Sequence, residues 1–236
     1  MNLILLNEKD FISPHRVMLQ ERRFNHIMSV HRAAVGDELV TGLINGKMGT
    51  STITRLTSSS IEMDVVLDEP PPPPIDLNLV MALPRPKMLK RILQTVASLG
   101  VKKIYLINSW RVEKGFWSSP ILEKEKIEEQ LVLGLEQAKD TIMPEVFLKR
   151  LFMPFIREEL PMISRESLKL TAHPRGTTVC PCHPGKKITL AMGPEGGFIP
   201  KEIDTLGEIG FTSVSLGARI LRLETAVPFL ISRLFA

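Results

Sequence analysis

Leu190-Ala191-Met192-Gly193-Pro194-Glu195-Gly196-Gly197-Phe198-Ile199-Pro200-Lys201-Glu202 reads as the end of a buried strand, a loop with three glycines and the start of a helix. Pro200 suits a first helical turn, where its missing N–H costs nothing. The glycines permit positive φ and let a ligand approach the backbone, and ligands of open α/β sheets collect outside the carboxyl ends of the strands. A tight turn would account for two glycines, but Pro194-Glu195-Gly196-Gly197 restricts the loop more than a connector needs. No Gly-Lys-Ser/Thr follows, and the spacing does not fit Gly-x-Gly-x-x-Gly. Both points count against a nucleotide-dependent transferase that cradles phosphates here.

A second segment repeats the pattern closer to the end of the chain: Leu216-Gly217-Ala218-Arg219-Ile220-Leu221-Arg222-Leu223-Glu224-Thr225-Ala226, a strand end, a glycine, an irregular link and a closing helix. Thr225 reads as the cap of that helix, with Ala226 and Pro228 in its opening turn. Arg219, Arg222 and Glu224 beside Ile220 and Leu221 suggest a site with an apolar floor and a polar rim. Two strand-end loops would then face one pocket.

Outward from these loops, residues 77–83, Lys103–Ile107, 168–171, Ile188–Met192 and 213–216 are short apolar runs of the buried-strand type. Helices are expected between them: residues 87–99, with Met88, Leu89, Ile92, Leu93, Val96 and Leu99 on one face, and about 120–138. Strand-helix alternation predicts a parallel α/β sheet. Upstream stand five consecutive prolines, Pro70 to Pro74, which neither a helix nor a central strand accommodates. They divide the chain into residues 1–69, a linker at 70–76, and residues 77–236. Before the prolines, residues 3–6, 38–44, Met48–Leu56 and 61–67 read as strands with turns at Asn45-Gly46 and Thr57-Ser58-Ser59-Ser60, and residues 21–31 read as a helix.

With 236 residues and 44% apolar content the chain can bury a sizeable core. No stretch approaches the roughly 20 apolar residues that span a bilayer, and the first ten residues lack the pattern of a secretory signal, so a cytoplasmic location is expected. Cys180 and Cys182 are too few and too close for a disulfide framework. Although His173 and His183 lie nearby, Cys180-Pro181-Cys182-His183 lacks the Cys-x2-Cys spacing of structural zinc sites, and no metal is expected. The net charge is +4, and its distribution is uneven. Between residues 85 and 114, Arg85, Lys87, Lys90, Arg91, Lys102, Lys103, Arg111 and Lys114 face the single acid Glu113. Such a cluster is either a solvated face or a surface for a phosphate backbone.

Taken together, Met192-Gly193-Pro194-Glu195-Gly196-Gly197 and Leu216-Gly217-x-x-Ile220-Leu221-Arg222-x-Glu224-Thr225-Ala226 resemble the RsmE-type methyltransferases of the SPOUT superfamily, which methylate N3 of one uridine in small-subunit ribosomal RNA. Phe24-Asn25-His26-Ile27-x-x-Val30-His31-Arg32-x-x-x-Gly36-Asp37, Leu83-Pro84-Arg85-Pro86-Lys87 and Leu133-x-Leu135-Glu136-Gln137-Ala138 resemble further elements of that family in the same order. Leu223 departs from it, standing where a polar residue is common.

The resemblance implies an N-terminal PUA-like RNA-binding β-barrel and a C-terminal α/β domain closed by a trefoil knot, a rare exception to ordinary topology. It also implies a homodimer that uses S-adenosyl-L-methionine as cofactor and 16S rRNA or the small ribosomal subunit as partner. Leu83, Leu190, Met192, Gly193, Pro194, Glu195, Gly196, Gly197, Leu216, Gly217, Ile220, Leu221, Thr225 and Ala226 are then the expected cofactor-binding residues, largely through their backbone. Uridine N3 carries a proton, so the enzyme must favour its loss or stabilise the developing anion. Arg85 and Arg222, with planar donor forks, are the candidates for the uracil carbonyls or a phosphate. Glu195 or Glu224 is a candidate for the methionine amino group or for proton removal, with loop hydrogen bonding as the simpler role of each. Arg22, Arg23, His26, Arg32, Lys87, Lys90 and Arg91 are expected to contact RNA, although Phe24, Ile27 and Val30 beside the first four read more simply as a core face. A hydrolase is not favoured, since no Gly-x-Ser-x-Gly occurs. A non-catalytic RNA-binding assembly factor with a methyltransferase-like domain is the remaining alternative.

Overall fold

Alternating burial along the chain, with Ile61, Met63 and Val65 inward and Asp64 and Val66 outward, is the period-two signature of a sheet with one wet face. In the computed structural model, which describes residues 2–235, these side chains sit on a six-stranded sheet. Its strands are β1 (Ile4–Leu6), β2 (Phe11–Ser13), β3 (Arg16–Gln20), β4 (Glu38–Leu43), β5 (Met48–Leu56) and β6 (Ser60–Glu69), in the order β1-β4-β5-β6-β3-β2. All neighbours are antiparallel except β1 and β4. Val17, Leu19, Ile53, Ile61 and Met63 fill its core, joined by Ile27 from the helical stretch of α1 (Glu21–His26) and a π-helical segment (Ile27–His31). The expected barrel is corrected here. Among the described residues β1 and β2 are the edges of an open sheet, each strand is three residues long, and no pairing joins them.

This first unit comprises residues 2–73 and also 132–143. The later segment is placed there by contacts that no division by position at the prolines anticipates. The N–H groups of Asn2 and Leu3 both donate to the Glu136 carbonyl, and the Thr141 carbonyl accepts from Asn45 N–H.

The second unit, residues 74–131 and 144–235, holds a seven-stranded sheet. Its strands are β7 (Leu77–Ala82), β8 (Lys103–Ile107), β9 (Glu145–Lys149), β10 (Leu168–Ala172), β11 (Thr178–Val179), β12 (Ile188–Met192) and β13 (Thr212–Ser215), all parallel in the order β11-β13-β10-β12-β7-β8-β9. Every residue of β7 and β12 is buried, as parallel strands covered on both faces require. α2 (Pro86–Ser98) buries Leu89, Ile92, Leu93 and Val96, and α3 (Lys124–Ala138) starts in this unit. A broken helical stretch follows β9: α4 (Phe152–Pro154), a π turn (Phe155–Glu159) and α5 (Leu160–Ile163). α6 (Pro200–Glu208) and α7 (Leu223–Phe235) complete the unit. Because all seven strands run the same way, the carboxyl ends of β7, β8, β10, β12 and β13 lie along one edge of the sheet. No helix among the described residues is long and apolar enough to cross a membrane.

Candidate active site

Strand β12 sits between β10 and β7, and β7 sits between β12 and β8, so their end loops are neighbours. The loop after β12 is shaped by its own chain. A Cβ on Gly193 would lie 2.6 Å from the Phe198 nitrogen and 2.9 Å from the Gly197 carbonyl carbon, so only glycine lets the loop fold back on itself. Gly197 N–H then donates to the Pro194 carbonyl at 2.7 Å, and Phe198, buried, tilts against Phe152. Gly197 (φ +71°) and, after β13, Gly217 (φ +118°) adopt the left-handed region. Nothing lies within 4 Å of the place a Cβ would occupy on either. Both glycines therefore leave backbone open to a ligand.

Three further bonds knit the loops together. Arg85, immediately before α2, donates its N–H to Glu195 Oε1 at 3.0 Å, which ties the β7 loop to the glycine loop. The Arg111 guanidinium donates to the Gly196 carbonyl, and Trp110 N–H donates to Glu202 Oε1 at 2.8 Å. Glu202 is 5% exposed, and its other oxygen accepts Ile199 N–H at 2.9 Å, closing the first turn of α6. This one buried carboxylate thus anchors the β8 loop to the start of α6. From the neighbouring β10 end, His173 N–H donates to the Val214 carbonyl and its Nδ1 accepts Arg175 N–H at 3.2 Å. Partial burial, then the charges of Arg175 and Arg111, hold the His173 imidazole below the ordinary histidine value.

The sequence-predicted residues divide by placement. Leu83, Leu190, Met192, Gly193 and Pro194 are buried. Glu195, Gly196, Gly217, Ile220 and Thr225 are exposed, and Gly197, Leu216, Leu221 and Ala226 are half-buried. α7 starts at Leu223, two residues before Thr225, which therefore lies inside the helix and is not its cap. The Arg222 carbonyl accepts the N–H groups of Thr225 and Ala226, and its side chain is exposed, with Glu224 half-buried two residues on. Arg85, Lys87, Lys90, Arg91, Arg111 and Lys114 are all exposed.

In the first unit two of the residues expected to contact RNA have carboxylate partners within that unit. Arg23 forks onto both oxygens of Asp10 at 2.5 and 2.6 Å and donates to the Leu5 carbonyl, with its side chain only 19% exposed. Arg22 forks onto the buried Glu136 carboxylate. Both guanidiniums are engaged in packing their own unit. His26 is half-buried on α1, and Arg32, exposed with φ +49°, ends the helical stretch. Among the described residues no group of three or more His, Cys, Asp or Glu is placed to hold a metal ion. Sequence reading missed Trp110 and Glu202 as site residues. The available signal was an aromatic residue beside an arginine three residues past a buried-strand run, and a glutamate three residues after the chain turns into a helix.

Similarities to known proteins agree with this geometry. Residues 71–235 match the family of the RNA methyltransferase domain. The ribosomal RNA small subunit methyltransferase E of Treponema pallidum is 28% identical over 96% of this chain and 87% of its own length, and that of Aquifex aeolicus is 28% identical over 92% of each. Among solved structures, a Legionella pneumophila protein described as a methyltransferase and bound to the cofactor SAM aligns with a TM-score of 0.79 at 25% identity, covering 98% of this chain and 95% of that one. The ribosomal RNA small subunit methyltransferase E of Neisseria gonorrhoeae, bound to S-adenosyl methionine, aligns with a TM-score of 0.74 at 24% identity over 98% and 95%. With a family model spanning both strand-end loops, the chain belongs to the RNA methyltransferase domain family.

Proposed function

We propose that the protein is an S-adenosylmethionine-dependent methyltransferase that acts on N3 of a uridine in 16S ribosomal RNA, as a cytoplasmic homodimer working on the RNA or on the small subunit. The observation that carries this reading is the pair of strand-end loops whose glycines, Gly197 and Gly217, leave open backbone on the side a ligand would approach. The residues fit the cofactor: the open backbone at Gly197 and Gly217 suits an adenine and ribose, and the exposed Arg222 with the half-buried Glu224 suits polar groups. Bound S-adenosylmethionine supplies a methyl group on an already activated, neutral leaving group.

The chain's own residues supply position and charge. Glu195 holds the backbone of Arg85, so it acts as a positioning residue for that guanidinium and not as a base. Arg85 and Arg222 donate to the uracil carbonyls, stabilising the negative charge that develops as the N3 proton leaves. Glu224 takes that proton or binds an ammonium. The exposed Lys87, Lys90 and Arg91 of α2 contact phosphates, and in the first unit Arg32 and His26 do the same. Residues 1–69, ahead of the linker at 70–76, serve with residues 132–143 as a PUA-like RNA-binding module. The domain of residues 77–236 carries the chemistry and is threaded as a trefoil knot. Family likeness supports the knot, as does a sheet order in which β10 lies between the later strands β12 and β13.

Mass spectrometry of nucleosides from the 16S rRNA of cells lacking this gene tests the proposal. Loss of a single N3-methylated uridine is expected, and an unchanged nucleoside profile would contradict it.

A further inference from the structure

We propose that the Trp110 indole is a stacking platform for an unpaired RNA base beside the cofactor loops. The inference rests on the functional reading above and adds to it a ligand contact at a residue outside the family motifs quoted earlier. The protein has two tryptophans, and the fold treats them oppositely. Trp117 is 8% exposed and donates its Nε1–H to Asn108 Oδ1 at 3.0 Å. Trp110 is 80% exposed, although burying a side chain of this size would stabilise the fold by about 2 kcal/mol or more.

That exposed ring does not stand on a loose loop. Its own N–H is held by the buried Glu202 carboxylate, and the next residue, Arg111, donates to the Gly196 carbonyl of the glycine loop. Ser109 before it and Val112 after Arg111 are buried. The backbone under the indole is thus tied to the start of α6, and the next side chain to the loop proposed to hold the cofactor. A rigid aromatic face presented there loses little conformational freedom on binding.

Charge selects the occupant. Arg111 and Lys114 on the same loop and Arg85 on the neighbouring strand-end loop are exposed cations. A single aromatic ring among cations matches a nucleic acid strand, whose phosphates meet the cations while an unstacked base covers the ring. An apolar protein surface would instead have to bury those cations. Every base has a π-face, so the platform is tolerant of sequence; it would hold a nucleotide of the unpaired stretch and need not identify it.

The test compares the parent with Trp110→Ala and Trp110→Phe, using a fluorescently labelled single-stranded oligouridylate across a salt series and calorimetry with S-adenosylmethionine. Trp110→Ala should weaken oligouridylate binding by about ten- to a hundredfold with the salt slope unchanged, because stacking releases no counterions. Trp110→Phe should recover most of the affinity. Cofactor affinity should be the same in all three, which also shows that the variants fold. Parental RNA affinity in Trp110→Ala would overturn the proposal, as would a variant that changes oligomeric state while binding RNA like the parent. A parent chain that binds the oligonucleotide but not S-adenosylmethionine would contradict the proposed function and leave the stacking comparison intact.

Discussion

Glu202 is the most exacting point at which to perturb the site, because one side chain closes a helix and fastens a loop. Its Oε1 accepts Trp110 N–H at 2.8 Å and its Oε2 accepts Ile199 N–H at 2.9 Å, with the residue 5% exposed. Glu202→Ala removes both acceptors at once. Loss of the helix-terminal bond costs about 1 kcal/mol, since Ile199 has no side-chain oxygen to compensate. The second N–H, left in a place water reaches poorly, costs about 1–3 kcal/mol. The variant should therefore be less stable by about 2–4 kcal/mol, which lowers Tm by about 5–15 °C for a chain of this size. Glu202→Gln keeps one acceptor oxygen and turns a donor toward the other N–H, so roughly half of the loss should remain. Urea unfolding is the assay, with the midpoint expected to fall at unchanged m. A Glu202→Ala variant within about 0.5 kcal/mol of the parent would refute the reasoning, since that is the range of ordinary surface substitutions.

Two further outcomes follow from charges along the same edge and on α2. Reversing Lys90 and Arg91, both exposed on α2, should weaken RNA binding and flatten its salt dependence by about one unit of slope per lost phosphate contact while leaving cofactor affinity alone, as filter binding and calorimetry will show. His173 titrates below its ordinary value of 6.5 in the folded protein because it is half-buried and feels the charges of Arg175 and Arg111, so the unfolded chain binds the proton more readily. Its contribution to stability is present above 6.5 and is lost as pH falls below it, and His173→Asn, which keeps an acceptor for Arg175 N–H, should flatten the pH dependence of the urea midpoint in that range.

The parts of the fold legible in the sequence are those in which one residue's neighbours along the chain carry the signal. β5, β8 and β12 match the expected strands residue for residue, because each is a run bounded by turn residues and packed on at least one face. β9 and β11 are edge strands of the parallel sheet, half-buried or exposed, and their residues show no sustained apolar run. β2 and β3 are separated by a turn so short that Phe11 to Gln20 does not read as two strands. The site was legible at its two glycine loops and illegible where partners lie far apart in sequence. Glu202 and Trp110 are 92 residues apart, and Arg22 and Glu136 are 114 apart. Counting charge marked Arg22 and Arg23 as cations for RNA, and only the folded positions of Glu136 and Asp10 show where those guanidiniums go.

The central claim is methyl transfer to uridine N3 with Arg222 stabilising the charge that forms. Rapid-quench transfer of labelled methyl from S-adenosylmethionine to saturating small-subunit rRNA, followed by digestion and nucleoside identification across a pH series, tests it most directly. The label should appear in N3-methyluridine, at a rate that rises with pH until the bound uridine is fully ionised. Arg222→Leu should slow that step by about a hundredfold, on the order of 3 kcal/mol, with cofactor binding kept, and Arg222→Lys should recover only part. Label in any other nucleoside, or none at all in the parent, would contradict the claim, and a parental rate and pH profile in Arg222→Leu would remove Arg222 from the chemistry.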